Sequence, residues 1–489
     1  MSLLFKHDLL NRLRAAVAAV AVGACLPLSS GAQVQLPDFG DTASVTLSPA
    51  EERELGALIM RQVRATLPII EDAEVEEYVQ SLGYKLVSSG SGATTDFLFF
   101  VISVPVVNAF ALPGGYIGIN SGLITATESE SELASVMAHE IAHVTQRHIA
   151  RAIAAQENTQ FATLAAVIAG LILGAVADPQ AGQAAVVGAT AASAQSQINF
   201  TRANEKEADR LGIQMLASAD FDPNAMPSFF EKLDLASRYY TKPPEYLSTH
   251  PVTTSRIADS RGRAAQFPRK PYVESTSYDL IRAKLEVLTT TDPQRLLTIF
   301  ESRLEQAGKG DRTAALYGRA LVLAELGQID RAREELAKLV AAHPTRVGFR
   351  VALARQDIAA GRTEEGLAIF RDAYSLFPDS TQLVRGYVDA LVRSGRNQDA
   401  IDVLNAYSRI YAKDPPMYRL EAEAYRQLGK SVNSRLALAE YYYRTGELDG
   451  AIHQLELGLN EPGGDFYVQS RIEARLQELQ REREILFKP

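Results

Sequence analysis

The sequence carries a His-Glu-x-x-His pattern formed by His139, Glu140 and His143. Four helical residues turn through about 400°, so the two histidines would lie one turn apart on one face and could bind the same zinc ion. Glu140 projects about 100° from His139, where it can take a proton from a water that zinc activates. It would return that proton to the leaving amine of a cleaved peptide bond. The pattern therefore predicts a peptidase that depends on one Zn²⁺ ion per chain.

Two acidic residues further along, Glu205 and Asp209, are spaced for one face of a second helix. Glu205 can complete a His₂Glu zinc site that keeps one position open for water. Asp209 can accept the free N–H of a ligating imidazole and so fix its tautomer. Acidic clusters of this kind are also common on solvated helix faces, and the residues alone leave that alternative open.

Two neighbouring residues are expected to take no part in the site. Glu207 projects about 200° from Glu205, which predicts a solvated side chain. His148 is nine residues from His139, about half a turn round the same helix, and should point away from the metal. We interpret His148 as a surface or packing residue.

The His-Glu-x-x-His pattern needs a helix to hold it, and the sequence predicts one over 130–155 with Ser129 or Ser131 as its N-cap. Segments 97–107 and 116–119 are rich in β-branched and aromatic residues and predict strands. Strand 116–119 could lie at a sheet edge along the cleft, where an extended substrate adds to it through main-chain hydrogen bonds. An internal strand is the alternative, and the sequence does not separate the two.

The first 32 residues differ from the rest of the chain. Three basic residues precede an uncharged run at 15–26, and small residues at 30–32 suit cleavage before Gln33. This arrangement is typical of a secretory signal peptide over 1–32, with an apolar run too short to span a bilayer. Cys25 is the only cysteine and lies in a loose lipoprotein cleavage box, so a lipidated Cys25 is the less favoured alternative, and a short membrane anchor is a further one.

Residues 161–200, which follow the predicted helix, form an apolar segment in which Asp178 is the only charged residue. Its first apolar run is short for a membrane helix and is broken by the Asp178-Pro179 pair. We expect small-residue helices that pack over the peptidase core, and a mobile lid is one form that this packing can take. A pair of membrane helices is the alternative.

The second half of the chain contains a 34-residue repeat that is marked by four glycines, Gly327, Gly361, Gly395 and Gly429. This period is typical of tetratricopeptide repeats, in which a glycine ends the first helix of each antiparallel pair. A Pro-containing stretch around 265–276 reads as a linker. We therefore predict an α+β zincin-like metallopeptidase domain at 33–266, followed by an all-α tetratricopeptide domain at 270–489.

Composition agrees with a folded chain of several domains. The 489 residues exceed what one ordinary core supports. Hydrophobic residues make up 46% and charged residues 22%, which excludes a disordered chain. The net charge of −9 argues against nucleic acid as a partner.

Three stretches together resemble the motifs of the zinc metallopeptidases that include HtpX and the CAAX prenyl proteases: 136–143, 205–210 and 248–256. The resemblance implies that Glu205 is the third zinc ligand. It also implies a role for His250, which can occupy the fourth zinc position and exclude water, or else donate a hydrogen bond to the oxyanion. Arg256 could pair with an acidic group near the site or cap local structure.

A leader and a C-terminal tetratricopeptide array add a resemblance to periplasmic members of this family in Gram-negative bacteria. It implies a quality-control and chaperone-like endopeptidase whose substrates are misassembled outer-membrane β-barrel proteins. The implied partners are the barrel-insertion and lipopolysaccharide-export machinery, with possible peripheral membrane association. One alternative is a repeat scaffold or chaperone whose zinc site is largely self-inhibited, and another is an integral membrane protease anchored by 161–200.

Overall fold

A computed structural model describes most of the chain after residue 46, in the ranges 47–90, 96–154, 191–239, 246–268, 270–272, 275–308, 311–462 and 466–486. All of these ranges belong to one compact unit. The signal peptide predicted at 1–32, with Cys25, and most of the apolar segment at 161–200 lie outside the described residues. Within the described ranges, no helix is both long and apolar enough to cross a bilayer.

The N-terminal part of the described chain combines a small sheet with helices. Its strands are β1 (Leu98–Ile102), β2 (Ala109–Leu112) and β3 (Tyr116–Asn120). Its helices are α1 (Pro49–Thr66), α2 (Ala73–Ser89), α3 (Ser121–Ala126), α4 (Glu130–Thr145), α5 (His148–Ala154), α6 (Ala191–Ser218), α7 (Ala225–Tyr239), α8 (Tyr246–Thr249) and α9 (Thr254–Ala264).

The C-terminal part is helical throughout its described residues. Its helices are α10 (Thr276–Thr289), α11 (Pro293–Ala307), α12 (Thr313–Glu325), α13 (Ile329–Ala342), α14 (Val347–Ala359), α15 (Thr363–Leu376), α16 (Thr381–Arg393), α17 (Asn397–Ser408), α18 (Pro415–Gln427), α19 (Ser431–Thr445), α20 (Leu448–Asn460) and α21 (Phe466–Leu486). The predicted order, an α+β part followed by an all-α part, is confirmed.

The sheet has the strand order β1-β3-β2. β3 runs parallel to β1, with Leu98 opposite Tyr116, and antiparallel to β2, with Leu112 also opposite Tyr116. β3 is therefore an internal strand, and the alternative of a sheet-edge strand at 116–119 that binds extended substrate was wrong. The strand predicted at 97–107 was too long, because β1 ends at Ile102, and the sequence did not predict β2, which begins at Ala109. Both outer strands present half-buried residues, Leu98 on β1 and Phe110 and Ala111 on β2.

Helix α4 lies at the centre of the α+β part and buries residues on nearly all of its faces. Ser129 is its N-cap and accepts the backbone N–H of Glu132, as the sequence predicts. The predicted continuation to residue 155 was wrong. The helix ends at Thr145, and Arg147 has a φ of 52°, a left-handed conformation that interrupts the helix before α5 begins.

The C-terminal helices form the predicted repeat. All four of its glycines have a positive φ, between 71° and 79°, at the end of the first helix of each pair. At Gly327 the turn is closed by a hydrogen bond from the backbone N–H of Gln328 to the carbonyl of Leu323, at 2.8 Å. The small residues five positions after the glycines, such as Ala332 and Ala400, are fully buried where paired helices approach each other.

Candidate metal centre

Helix α4 positions the three residues of the His-Glu-x-x-His pattern. His139 and Glu140 are buried and His143 is half-buried. Apolar residues on the same helix, including Met137 and Ile141, anchor it in the core of the α+β part. The two histidine rings meet edge to face with their centroids 4.7 Å apart, and their Nε2 atoms are 3.0 Å apart. Two imidazole nitrogens are therefore directed at one point, as the helical spacing predicts.

Helix α6 packs against α4 and contributes the acidic residues. Its approach is close because Gly212 has no side chain, since a Cβ there would lie 3.3 Å from the backbone nitrogen of His139. One side of α6 places Glu205 opposite both histidines. Its Oε2 lies 3.4 Å from Nε2 of His139, and its Oε1 lies 3.4 Å from Nε2 of His143.

His250 completes a cluster of four potential ligands. Its Nδ1 lies 3.3 Å from Nε2 of His139 and 3.1 Å from Oε1 of Glu205. One ligand atom from each of His139, His143, Glu205 and His250 lies within 4.8 Å of the other three. Such a group of convergent nitrogen and oxygen atoms is suited to holding one metal ion.

The ring of His250 is fixed by its neighbours. It follows α8 and stacks on the buried ring of Tyr246, with centroids 4.7 Å apart and an interplanar angle of 28°. Its backbone N–H donates to the carbonyl of Tyr246 at 2.8 Å. Its second ring nitrogen, Nε2, lies 3.4 Å from Oε1 of Glu140, so His250 stands between the acidic ligand candidate and the predicted general base.

A buried acid and a buried cation lie behind the cluster. Oδ1 of Asp209 is 3.0 Å from Nδ1 of His139. Arg256 donates to both oxygens of Asp209, from Nε and Nη2, each at 2.8 Å, and its Nη1 lies 2.8 Å from Oε2 of Glu205. Of the two roles left open for Arg256, pairing with acidic groups near the site is therefore correct.

The charges in this site depend on these contacts. Burial by itself would raise the pKa of Glu205, but its contacts with His250, His139 and His143 hold that pKa well below its usual value. Burial also opposes charging of His139, yet hydrogen bonds to Asp209 and Glu205 raise its pKa to about 10. For His143, burial dominates and lowers the pKa to about 3. A neutral imidazole at His143 is the form that binds metals.

Two residues that the sequence placed away from the site belong to its surroundings. His148 is buried, as one of the two interpretations allowed, but it points towards His143, with their Nδ1 atoms 2.9 Å apart. Glu207 is not fully solvated, because it contacts His148 and Arg151. The direction predicted for His148 was wrong because it assumed an unbroken helix, and no turn signal such as Gly or Pro marks the break at Arg147. Glu207 lies on the continuous helix α6, and it is half-buried because α5 brings His148 and Arg151 against it.

Comparison with known proteins identifies the family to which the chain belongs. The model described as Peptidase family M48 matches residues 71–264. The chain is 37% identical to the Beta-barrel assembly-enhancing protease of Escherichia coli (strain K12), in an alignment that covers 99% of both chains. The chain belongs to the M48 family of peptidases. The protein with the same description from Yersinia pestis is 36% identical, over 93% of this chain and 95% of that one.

Membership of the M48 family makes this chain a metalloendopeptidase. The donor atoms of His139, His143, Glu205 and His250 are suited to binding its metal ion. A shorter match, 31% identical, is to the Mitochondrial metalloendopeptidase OMA1 of Schizosaccharomyces pombe, over 37% of this chain and 50% of that one. Tetratricopeptide repeat models match residues 314–346 and 357–424. The M48 model thus lies on the α+β part, and the repeat models lie on the helical part.

Proposed function

We propose that this M48 peptidase is a periplasmic zinc endopeptidase that acts on outer-membrane β-barrel proteins during their assembly. The observation that carries the proposal is the convergence of His139, His143, Glu205 and His250 on one point. Catalytic zinc sites typically hold three protein ligands and keep a fourth position for water or substrate. Ligand atoms at about 2.0–2.1 Å from a tetrahedral zinc ion stand about 3.3–3.4 Å from one another.

The distances in the cluster are close to that spacing, with Glu205 facing His139 through Oε2 and facing His143 and His250 through Oε1. The separations between ligand atoms are 3.0 Å for His139 and His143, 3.4 Å from Glu205 to each of them, 3.3 Å for His139 and His250, and 3.1 Å for His250 and Glu205. Two imidazole nitrogens this close to each other and to a buried carboxylate also favour a cation between them. We therefore assign zinc as the metal and His139, His143 and Glu205 as its permanent ligands.

Glu140 is the general base in this proposal. Zinc, when bound, polarises the scissile carbonyl and lowers the pKa of water. The carboxylate of Glu140 is buried at the edge of the cluster, and its Oε1 accepts no hydrogen bond from the described residues. Its nearest polar neighbour is Nε2 of His250 at 3.4 Å, and once that ring moves aside the carboxylate can take a proton from the attacking water and pass it to the leaving amine.

His250 gives the site a closed state. Its Nδ1 completes the fourth corner of the cluster, where water would otherwise enter, and its Nε2 faces Glu140. While His250 holds this position, hydrolysis is blocked, and proteolysis requires the His250 segment to move aside. Asp209 and Arg256 support the closed site from behind, because they hold His139 and Glu205 by buried contacts.

The substrate class follows from the relatives and the repeats. The proteins from E. coli and Y. pestis are described as enhancing β-barrel assembly. An unfolded barrel protein offers extended segments, which suit a sheet edge such as β2 as well as repeat surfaces. We infer that the leader at 1–32 directs the chain to the periplasm, and that the repeats bind the barrel-insertion and lipopolysaccharide-export machinery.

Replacing Glu140 by Gln tests the catalytic assignment. The purified variant should keep one zinc per chain and lose cleavage of an unfolded barrel protein, because Glu140 is a base and not a ligand. Alanine at His139, His143 or Glu205 should lower zinc content. Glu130→Gln, on the same helix, is the matched control and should leave both unchanged. Undiminished cleavage by Glu140→Gln would refute this mechanism.

A second candidate function is supported by the position of His250 in the fourth corner of the cluster. A site that rests closed suits a protein whose main activity is that of a repeat scaffold or chaperone. Cells that carry only Glu140→Gln distinguish the two. If barrel assembly is fully restored, the scaffold is the main function, whereas partial restoration assigns a share to proteolysis.

A further inference from the structure

His148 lies directly behind His143, on the side away from the four-residue cluster. Its Nδ1 is 2.9 Å from Nδ1 of His143, and its Nε2 is 3.2 Å from Oε2 of Glu207. The rings of the two histidines meet edge to face, with centroids 4.8 Å apart and an interplanar angle of 81°. Arg151 donates to the same oxygen of Glu207 at 3.0 Å. A continuous line of contacts therefore runs from His143 through His148 to Glu207.

The positions of the protons on the two rings determine which atom donates in each of these hydrogen bonds. The Nε2 of His143 faces His139 and Glu205, so it must carry no proton if it binds the metal. The single N–H of neutral His143 is then on Nδ1, and it donates to Nδ1 of His148. His148 must in turn carry its own proton on Nε2, which donates to Glu207. Each contact has one donor and one acceptor only in this arrangement.

We propose that His148 is a positioning residue that fixes the ring and the tautomer of the metal ligand His143, and that Glu207 fixes His148. The inference deepens the proposed function and rests on it, because it needs His143 to be a zinc ligand. His139 has a different partner, the carboxylate of Asp209 at 3.0 Å. The two histidine ligands are thus supported by different chemistry, a carboxylate for one and a neutral imidazole for the other.

The break between α4 and α5 creates this contact. A continuous helix would carry His148 to the far side from His139. The left-handed conformation of Arg147 redirects the chain instead, and its side chain is anchored by contacts from Nε to Glu52 at 3.0 Å and from Nη2 to the carbonyl of Leu47 at 2.5 Å. Strained backbone of this kind persists where the surroundings determine it, often beside functional sites.

Zinc affinity of the full-length protein, measured by competition with a chelator, tests the proposal without relying on activity. His148→Leu removes the acceptor, and we expect the zinc dissociation constant to rise about 10–100-fold, as is usual for loss of such a partner. His148→Asn can place an amide oxygen near the position of Nδ1 and should recover most of the affinity. Dissociation constants within twofold of wild type for His148→Leu, or equal losses in the two variants, would overturn the proposal.

Nitrogen-15 NMR of histidine-labelled, metal-free protein provides a readout that a purely structural role would not change. Wild-type His143 should carry its proton on Nδ1, and His148→Leu should show a mixture of both tautomers. A proton on Nε2 of His143 in the wild type contradicts the proposal, even if His148→Leu does not fold. Zinc binding by His143→Ala with wild-type affinity would instead refute the proposed function.

Discussion

At the scale of single residues, the proposed role of His250 can be tested by the sign of one rate change. Its Nδ1 lies within 3.3 Å of ligand atoms from His139 and Glu205, and its ring stacks on Tyr246. The closed interpretation and the oxyanion interpretation predict opposite effects when this ring is removed. The sign of one rate change therefore separates them.

We expect His250→Ala to raise the rate of proteolysis, because it vacates the fourth corner of the cluster for water. The measurement is the initial rate of cleavage of an unfolded protein by purified enzyme, normalised to zinc content. Glu140→Gln in the same background is the control and should abolish the gain. A fall of about 10²–10³-fold in turnover at unchanged zinc content would instead assign His250 to the oxyanion.

At the scale of secondary-structure elements, the site depends on how closely α6 approaches α4. Gly212 allows this approach, since a Cβ there would meet the terminal methyl of Met226 at 2.8 Å and the backbone nitrogen of His139 at 3.3 Å. The methyl group can move, but the backbone of α4 is fixed by its core packing. The distance from Glu205 to the two histidines is therefore sensitive to the size of residue 212.

Gly212→Leu should force α6 away from α4 and lower both zinc affinity and the thermal midpoint. A core overpacked in this way is typically destabilised by about 1–3 kcal/mol. Gly262→Leu on α9 is the matched control, because a Cβ at Gly262 meets no atom within 4 Å. That control should be neutral or slightly stabilising, since leucine is the better helix former. Wild-type zinc affinity in Gly212→Leu would contradict this account of helix spacing.

The same elements show what the sequence could and could not predict. Helical spacing was sufficient to bring His139 and His143 together and to cap α4 at Ser129, because both depend on a few neighbouring residues. The break at Arg147 depends on distant partners, Glu52 and Leu47, and no local pattern announces it. The central position of β3 likewise follows from pairing across the sheet and not from the composition of the strand.

At the scale of the whole molecule, helix α2 links the α+β part to the repeats through its acidic first turn. Lys284 of α10 is buried between Asp72 and Glu74, with both contacts at 2.8 Å. Arg385 of α16 contacts Glu76 at 2.6 Å. Since α2 also packs on α4 and β1, the repeats are connected to the elements that carry the site.

This interface should be more stable in mildly acidic solution. Burial raises the pKa of Glu76 from 4.5 to about 7, although Arg385 opposes the shift. A raised pKa in the folded state contributes stability that is fully present below pH 4.5 and is lost as the pH rises through about 7. The free energy of unfolding should therefore fall less between pH 5 and 8 in Glu76→Gln than in the wild type. The difference between the two falls should be roughly 2 kcal/mol, after a reduction for solvent screening.

Denaturant unfolding at several pH values measures this effect. Glu334→Gln is a suitable control, because Glu334 is an exposed carboxylate whose pKa is lowered by Lys338, so its titration lies below this window. Identical slopes for wild type and Glu76→Gln between pH 5 and 8 would show that Glu76 does not titrate at the interface.

The boundary predicted between the domains, at 266–270, remains a prediction, and helix α10 provides its test. Tyr278 of α10 donates its hydroxyl to the backbone carbonyl of Thr127 at 2.6 Å, and Ile281 and Leu285 lie in the core of the α+β part. The first helix after the linker therefore completes the core that positions α4.

We expect a chain that ends at residue 290 to bind zinc and unfold cooperatively, because it keeps α10. A chain that ends at residue 269 should lose zinc affinity and stability, since removal of Tyr278, Ile281 and Leu285 leaves the core open, and even one such buried side chain is worth about 2–5 kcal/mol. Calorimetry and chelator competition on the two chains measure both quantities.

Tyr278→Phe in the full chain removes only the hydroxyl that donates to Thr127, and it should lower the free energy of unfolding by only about 1 kcal/mol. Equal zinc affinity and equal thermal midpoints for the two truncated chains would instead support a peptidase domain that ends at residue 266.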